Sequence, residues 1–338
     1  MIFLNLCFML LVILVSAEIF TNALEHLGEK LKISEGVTGS IFAAIGTALP
    51  ETLVPLLALM SNHENQTINE EVGVGAILGA PLMLSTLTLF LMAFSVLKHR
   101  GLQGHLKPEK TGLIRDLDFF IISFLFAGAA LFIPHSSALA RDLIGFIMIF
   151  SYFIYLLLTI RASKKLVEVG HATEASSPML LEKIGLPNNY IIISTQLLLG
   201  LILLIYGAKG FIVGVEEASS LIGISTLILS MLIIPIATEL PEKINSILWV
   251  RKGKDTLAFG NVTGAMVFQG TLLPAIGIIL TPWAPRTEIY LSILITLIAA
   301  IWIRFLIQRS NIKVWHLGIN GALYLTYLFF TLYEFSYL

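Results

Sequence analysis

The chain has 338 residues, of which 57% are hydrophobic and only 13% are charged, with a mean hydropathy of +0.89. No soluble domain needs that much apolar surface, so the composition predicts an all-α polytopic membrane protein whose surroundings are a lipid bilayer. The formal net charge of −1 says little, because in membrane proteins the position of each charge matters more than the sum. A single cysteine, Cys7, excludes a disulfide framework or a cysteine-based metal site within one chain. We expect no nucleic-acid partner.

Runs of about 20 apolar residues cross a bilayer as helices, and we predict ten such runs. They lie at approximately 2–24, 36–60, 72–97, 119–133, 143–160, 190–215, 226–250, 256–280, 289–307 and 315–333. Within the first run, Val15-Ser16-Ala17 resembles a signal-peptidase site, but no basic residue precedes it. We therefore expect a retained transmembrane helix there.

The two halves of the chain resemble each other at a shift of 191 residues. The motif Gly46-Thr47-Ala48-Leu49-Pro50-Glu51 matches Ala237-Thr238-Glu239-Leu240-Pro241-Glu242. We predict a first repeat at 1–160, a cytoplasmic linker at 161–189 and a second repeat at 190–338. Because each half has five predicted helices, the second half enters the membrane from the opposite side. Inverted repeats of this kind are typical of secondary transporters, which bind their substrate where the repeats meet, near the midplane.

The basic residues predict the orientation of the chain in the membrane. If the N-terminus lies outside, the inside loops hold 17 Lys and Arg residues, and the outside loops hold only Arg141 and Arg286. This asymmetry follows the positive-inside rule and predicts that both termini are extracytoplasmic. The short loops favour a location in the cell membrane.

Two carboxylates lie in the middle of apolar runs, Glu51 in the first half and Glu242 in the second. A charge at the bilayer centre costs at least about 2.5 kcal/mol, so an intramembrane Glu indicates a functional site. A threonine precedes each by four residues, Thr47 and Thr238, and therefore shares its helix face. Two facing carboxylates match the charge of one divalent cation. When empty they tend to hold a proton, because like charges raise a pKa, so cation release could couple to proton uptake.

Prolines and a glycine predict that helices 2 and 7 are broken beside these carboxylates. Gly46 and Pro50 interrupt the second helix, and Pro235 and Pro241 interrupt the seventh. Proline removes a backbone donor and frees carbonyl oxygens, and a broken helix is tolerated in a membrane where it is buried or lines a watery cavity. Carbonyl, hydroxyl and carboxylate oxygens together suit Ca²⁺ or Na⁺ rather than a soft transition metal.

The helix after each motif carries a glycine pair, Gly75 with Gly79 and Gly260 with Gly264. We interpret these pairs as close helix packing that brings the third and eighth helices against the carboxylates. The polar candidates on the eighth helix are Asn261, Thr263 and Gln269. We expect Asn261 and Gln269 to be site residues, the alternative being hydrogen bonds that only hold the packing.

Twin Thr-x-Leu-Pro-Glu motifs, each followed by a Gly-x-x-x-Gly helix, resemble the α-repeats of the calcium/cation antiporter superfamily, in particular its sodium/calcium exchanger branch. The segments 206–211 and 223–225 are similar to that branch's sixth helix and the approach to its seventh. The resemblance covers nearly the whole chain in topology and about 120 residues in motif. It implies ten helices, antiport of Ca²⁺ against another cation, and Glu51 and Glu242 as central Ca²⁺ ligands.

The chain departs from the family pattern at several ligand positions. The serine of the family's Gly-Thr-Ser-Leu-Pro-Glu motif is replaced by Ala48 in one half and by Glu239 in the other. On the third helix the polar ligand positions are occupied by Ala76, Ala80 and Leu84. The family's sodium sites use such polar side chains, so the resemblance leaves both Na⁺ and H⁺ open as the coupling ion.

Glu239 adds a third intramembrane carboxylate, with Lys243 beside it. We interpret Glu239 as a proton or cation site, the alternative being a structural partner for Lys243 or Lys209. We interpret Lys243 as a counter-charge to these carboxylates. The more specific alternative is that its ammonium group substitutes for a bound cation.

These observations together predict a secondary active antiporter that exchanges Ca²⁺ or a similar divalent cation for Na⁺ or H⁺ by alternating access. Its partners would be small inorganic cations, with no cofactor. The residues expected to bind the ion are Glu51, Glu242, Thr47, Thr238, Glu239, Asn261 and Gln269. The alternatives are a proton-coupled exchanger of another cation and a non-transporting membrane receptor or scaffold. An enzyme is not expected, because the predicted spans lack a nucleophile–base pair or an HExxH metal motif.

Overall fold

The structure of the protein is a computed structural model and is almost entirely helical. It describes residues 2–30, 44–60, 66–167, 178–309 and 312–335. The helices in these ranges are α1 (Ile2–Lys30), α2 (Ala44–Met60), α3 (Gln66–Met83), α4 (Leu89–Arg100), α5 (Lys110–Ala130), α6 (Ala138–Val167), α7 (Tyr190–Ile222), α8 (Thr226–Thr238), α9 (Leu240–Arg251), α10 (Asp255–Leu280), α11 (Thr287–Gln308) and α12 (Val314–Phe335). The other elements are a π-turn (Leu84–Thr88), a 3₁₀ turn (Glu182–Ile184) and two short antiparallel strands, β1 (His105–Leu106) and β2 (Ile312–Lys313).

Six of the described helical segments are long and apolar enough to cross a membrane. They are Ile2–Leu24, Gln66–Arg100, Ala138–Arg161, Tyr190–Ile222, Asp255–Leu280 and Thr287–Gln308. Two shorter apolar helices are Glu51–Met60 and Thr226–Ile236. The predicted helical class is therefore confirmed, and a described helix lies at each of the ten predicted positions. That all ten cross the membrane as two inverted repeats stays a prediction.

The break predicted in the seventh helix is found at one residue. Helix α8 ends at Thr238 and α9 begins at Leu240, with Glu239 between them at φ −95° and ψ 11°. Pro235 and Pro241 lack the N–H that would bond the carbonyls four residues earlier, so the hydrogen-bond ladder is weakened on both sides of Glu239.

The second helix differs from its prediction. Its described backbone is helical from Ala44 to Met60, through Gly46 and Pro50, so the predicted break is not found in that range. A proline in a membrane helix removes one hydrogen bond without ending the helix when neighbouring helices pack around it. The preceding residues, 31–43, lie outside the described part of the chain.

Helix α5 begins nine residues before the predicted start of the fourth span, at Lys110 rather than 119. The Glu109 carboxylate caps it by accepting the backbone N–H groups of Thr111 at 2.6 Å and Gly112 at 2.8 Å. The charged residues that follow, including Asp116, therefore lie inside a helix and not in a loop.

Helices α1 and α7 pack closely and antiparallel. A Cβ atom on Gly200 of α7 would lie 2.9 Å from the backbone N of Phe20, and one on Gly214 would meet the Leu6 side chain of the same α1. The small residues allow the helix backbones to approach, as in other membrane helix pairs.

Buried apolar side chains form two clusters that share helices α3 and α8. One cluster joins α1, α2, α3, α7 and α8. The other includes residues of α3 to α6 and of α8 to α12. Helices α3 and α8 therefore lie between the two parts of the core, and α3 carries the first glycine pair.

A partly buried ion pair joins the two predicted repeats at the face where we expect the cytoplasm. The Arg100 guanidinium donates to both Asp255 carboxylate oxygens, at 2.9 and 2.8 Å, and to the Val250 carbonyl at 2.7 Å. The Lys107 backbone N–H donates to the same carboxylate at 2.8 Å. This bidentate contact ties the end of α4 to the start of α10.

Candidate cation site

Helix α3 lies directly on the backbone of α8, at the glycine pair identified in the sequence. A Cβ on Gly75 would lie 2.8 Å from the Leu227 carbonyl oxygen. A Cβ on Gly79 would lie only 2.3 Å from the Met231 carbonyl oxygen and 2.8 Å from Pro235 Cγ. The predicted packing is therefore found for this pair. Through this packing, α3 of the first half contacts α8, which is part of the broken helix of the second half.

The second glycine pair behaves differently. A Cβ on Gly260 would have no described atom within 4 Å, and one on Gly264 would meet only the Tyr155 hydroxyl, at 3.9 Å. Within the described part of the chain, no other helix packs closely on these two glycines. The predicted close packing is therefore not found for this pair.

The break between α8 and α9 gathers polar atoms in the interior. Glu239 is fully buried, and Thr238 before it is also buried. The Thr238 hydroxyl donates to the Ile234 carbonyl at 3.2 Å and keeps its lone pairs available as an acceptor. The Pro235 carbonyl accepts the Glu239 backbone N–H at 3.3 Å. Pro241 leaves the Ala237 carbonyl without its usual helical donor.

Lys243 reaches back into this break from the second turn of α9. Its Nζ donates to the Pro235 carbonyl at 2.8 Å and lies 3.7 Å from Glu239 Oε2. It also lies 3.3 Å from Met83 Sδ at the end of α3. The predicted proximity of Lys243 and Glu239 is found, whereas Lys209 is exposed on α7. The structure therefore shows Glu239 as a partner of Lys243, and its role as a proton or cation site stays a prediction.

Glu51 is the buried carboxylate of the first half, with 4% of its surface exposed. Leu59 of the same helix packs on Gly73 of α3. Because only five residues connect α2 and α3, the two helices are antiparallel. Glu51, eight residues before Leu59, therefore lies toward the end of α3 at which Met83 contacts Lys243.

Two members of the predicted site cannot be placed. The side chains of Thr47 and Glu242 lie outside the described part of the structure, although their backbones belong to α2 and α9. Their roles stay predictions.

The polar candidates on α10 have different surroundings. Asn261 donates to the Ser246 hydroxyl of α9 at 3.0 Å. Ser246 shares the face of α9 that carries Lys243, three residues earlier. Since α9 and α10 form an antiparallel hairpin, this contact places Gln269, eight residues beyond Asn261, near the level of Glu239. Gln269 is 2% exposed, and its Oε1 accepts no hydrogen bond from any described residue.

Thr263 binds the buried carboxylate of Asp116, which was not among the residues predicted from the sequence. Its hydroxyl donates to Asp116 Oδ2 at 2.8 Å, and the Tyr155 hydroxyl donates to Asp116 Oδ1 at 3.1 Å. Arg115 lies 3.8 Å from the same carboxylate. The available signal was the Glu109 cap, which starts α5 early enough to include Asp116.

The arrangement offers hard oxygen ligands in an apolar interior: carboxylates, a threonine hydroxyl, an amide oxygen and carbonyls beside prolines. Such oxygens coordinate Ca²⁺ and Na⁺. Among the described residues, no three His, Cys, Asp or Glu side chains are grouped closely enough to hold a metal ion by themselves.

A multi-pass helical membrane protein with a carboxylate buried at a broken helix is typical of ion transporters rather than classical enzymes. A family model described as sodium/calcium exchanger protein matches residues 1–161 and 193–333. The chain belongs to this family, which confirms the resemblance to the calcium/cation antiporter superfamily.

Individual relatives are more distant. The inner membrane protein YrbG of Escherichia coli is 26% identical over 278 residues, covering 81% of this chain and 78% of that protein. The structure of an H⁺/Ca²⁺ exchanger, CAX, matches 99% of this chain and 84% of its own with a TM-score of 0.74 and 15% identity. The sodium-calcium exchanger NCX_Mj matches 97% of this chain and 98% of its own with a TM-score of 0.58 and 19% identity. At these identities the two structures support the fold.

Proposed function

We propose that the protein is a secondary active antiporter that exchanges Ca²⁺, or a similar divalent cation, for Na⁺ or H⁺ across the cell membrane. The observation that carries the proposal is the burial of Glu51 and Glu239 inside an exchanger-family bundle, beside a helix broken between two prolines. Buried carboxylates are costly in a membrane and are retained where they bind or move ions.

Glu51 and Glu242 would be the central ligands of the divalent cation. Thr47 and Thr238 would add hydroxyl oxygens, and Gln269 an amide oxygen at the level of the break. Asn261, which donates to Ser246, would orient α10 against α9 and present its own amide oxygen. Glu239 would set the charge of the site and its coupling.

Alternating access would follow from the inverted repeats. The first would span 1–160 and the second 190–338, joined by the cytoplasmic linker at 161–189, with both termini extracytoplasmic. The contact of Gly79 with the α8 backbone joins the repeats at the site, so a shift of one repeat against the other would expose the ion to alternate sides.

The coupling ion is the less specific part of the proposal. The two solved relatives are an H⁺/Ca²⁺ and a sodium-calcium exchanger by name, so they share Ca²⁺ and differ in the second ion. Ala76, Ala80 and Leu84 are buried and offer no side-chain oxygen. Their apolar character favours a second candidate, a non-transporting receptor or scaffold, because it removes ligands from the first half.

Calcium-dependent thermal stabilisation of the purified protein would test for a binding site. A ligand at 100 times its dissociation constant stabilises the folded state by about 2.7 kcal/mol. We expect Ca²⁺ to raise the melting temperature of the wild type but not that of Glu51→Gln or Glu242→Gln. Glu18→Gln, which changes an exposed carboxylate on α1, is the matched control and should respond like the wild type. A wild type that no divalent or monovalent cation stabilises would favour the scaffold.

A further inference from the structure

The Lys243 ammonium occupies a position that a monovalent cation could take. It lies among a carbonyl oxygen of Pro235, a carboxylate oxygen of Glu239 and the sulfur of Met83, and its side chain is buried. Carbonyl and carboxylate oxygens are also ligands that Na⁺ takes in proteins. Met83 belongs to the first half and the other two groups to the second, so the ammonium lies where the halves meet.

Lys243 lowers the negative charge of the proposed site without cancelling it. Glu51 and Glu239 are buried carboxylates, and Glu242 is the third carboxylate of the proposed site. Three carboxylates and one ammonium leave two negative charges, which one divalent cation or two monovalent cations neutralise. Asp116 does not alter the count, because Arg115 lies 3.8 Å from it.

We propose that Lys243 is a built-in cation that takes the place of one coupling ion, so that each turnover exchanges one divalent cation for two monovalent cations and moves no net charge. This inference rests on the antiport proposed above and adds its stoichiometry. The four-carbon stem tethers the ammonium to α9, so its charge stays with the protein while the mobile ions change places. Without it, the site holds three negative charges and takes three monovalent cations per cycle.

The test is the dependence of Ca²⁺ accumulation on membrane potential. Purified protein in liposomes is given a fixed Na⁺ or H⁺ gradient and a potential set by potassium and valinomycin. Movement of one net charge changes the equilibrium Ca²⁺ ratio about tenfold for about 60 mV. We expect no change for the wild type and about a tenfold change for Lys243→Gln.

Charge-matched variants separate charge from packing. Lys243→Arg keeps the positive charge and should stay insensitive to potential. Lys243→Gln/Glu239→Gln restores the net charge of the site and should lose the sensitivity again. Lys209→Gln removes an exposed lysine on α7 and should behave as the wild type.

Wild-type accumulation that changes with potential would overturn the inference and leave antiport intact. So would a Lys243→Gln protein that transports Ca²⁺ without sensitivity to potential. If Lys243→Gln does not transport, recovery of flux in the double variant supports the inference and no recovery overturns it. Absence of wild-type flux under either gradient would instead contradict the proposed function, and the inference with it.

Discussion

Gly79→Ala is expected to force the two halves of the protein apart at the proposed site. The new Cβ would lie 2.3 Å from the Met231 carbonyl oxygen and 2.8 Å from both Met231 Cα and Pro235 Cγ, where ordinary contacts are 3.4–4 Å. These are backbone and ring atoms that cannot swing aside, so α3 must move by about 1 Å relative to α8. Overpacking of this kind costs about 1–3 kcal/mol, and the three contacts below 3.0 Å place this site in the upper part of that range, at about 2–3 kcal/mol, while alanine returns about 1 kcal/mol of helix propensity.

We therefore expect a net destabilisation of about 1–2 kcal/mol, measured as a fall in melting temperature of about 1–3 °C in detergent. Gly260→Ala is the matched control, since Gly260 lies in the corresponding glycine pair of the second half. It is exposed and a Cβ there meets no described atom, so only the gain in helix propensity remains and the melting temperature should stay equal or rise. Equal shifts for both variants, or a neutral Gly79→Ala, would refute the reasoning.

Three further substitutions change carboxylates that lie outside the predicted membrane spans. Asp255→Asn removes the carboxylate partner of Arg100. Because the Arg100 side chain is only 21% exposed, the loss of this partner should lower the free energy of unfolding by about 2–3 kcal/mol. Asp118→Asn breaks an ion pair that is 44% exposed on the carboxylate and should cost at most about 1 kcal/mol; similar losses would contradict this account. The Gly112 N–H holds the pKa of Glu109 below its usual 4.5, so Glu109→Gln should lower stability at neutral pH. That difference should disappear as the pH falls below 4.5 through the lowered pKa, and a difference that persists in acid would show another cause.

The sequence predicted the break in the seventh helix beside Pro241, where proline acts locally on its own hydrogen-bond ladder, whereas Pro235 lies inside continuous α8. The same logic was less successful for the second helix, where Gly46 and Pro50 lie within continuous helix in the described range. Whether a proline ends a helix or is accommodated depends on the helices packed around it, and a single sequence does not contain that information.

The site was predicted as a set of residue types, and the partners of each residue were not. Gly79 was expected to pack, but not specifically on the Met231 carbonyl. Asn261 and Thr263 were equivalent candidates in the sequence, and the structure gives them Ser246 and Asp116 as partners. These contacts join residues from different helices, and helical periodicity fixes a face without naming the neighbour.

Ca²⁺ flux in proteoliposomes tests the central claim most directly. The wild type and a Glu51→Gln/Glu242→Gln variant are each given a Na⁺ gradient and then a pH gradient. We predict Ca²⁺ flux in the wild type under at least one gradient and its loss in the variant, with the effective gradient identifying the coupling ion. Wild-type protein without flux under either gradient, or flux that survives both substitutions, would contradict calcium antiport through these carboxylates.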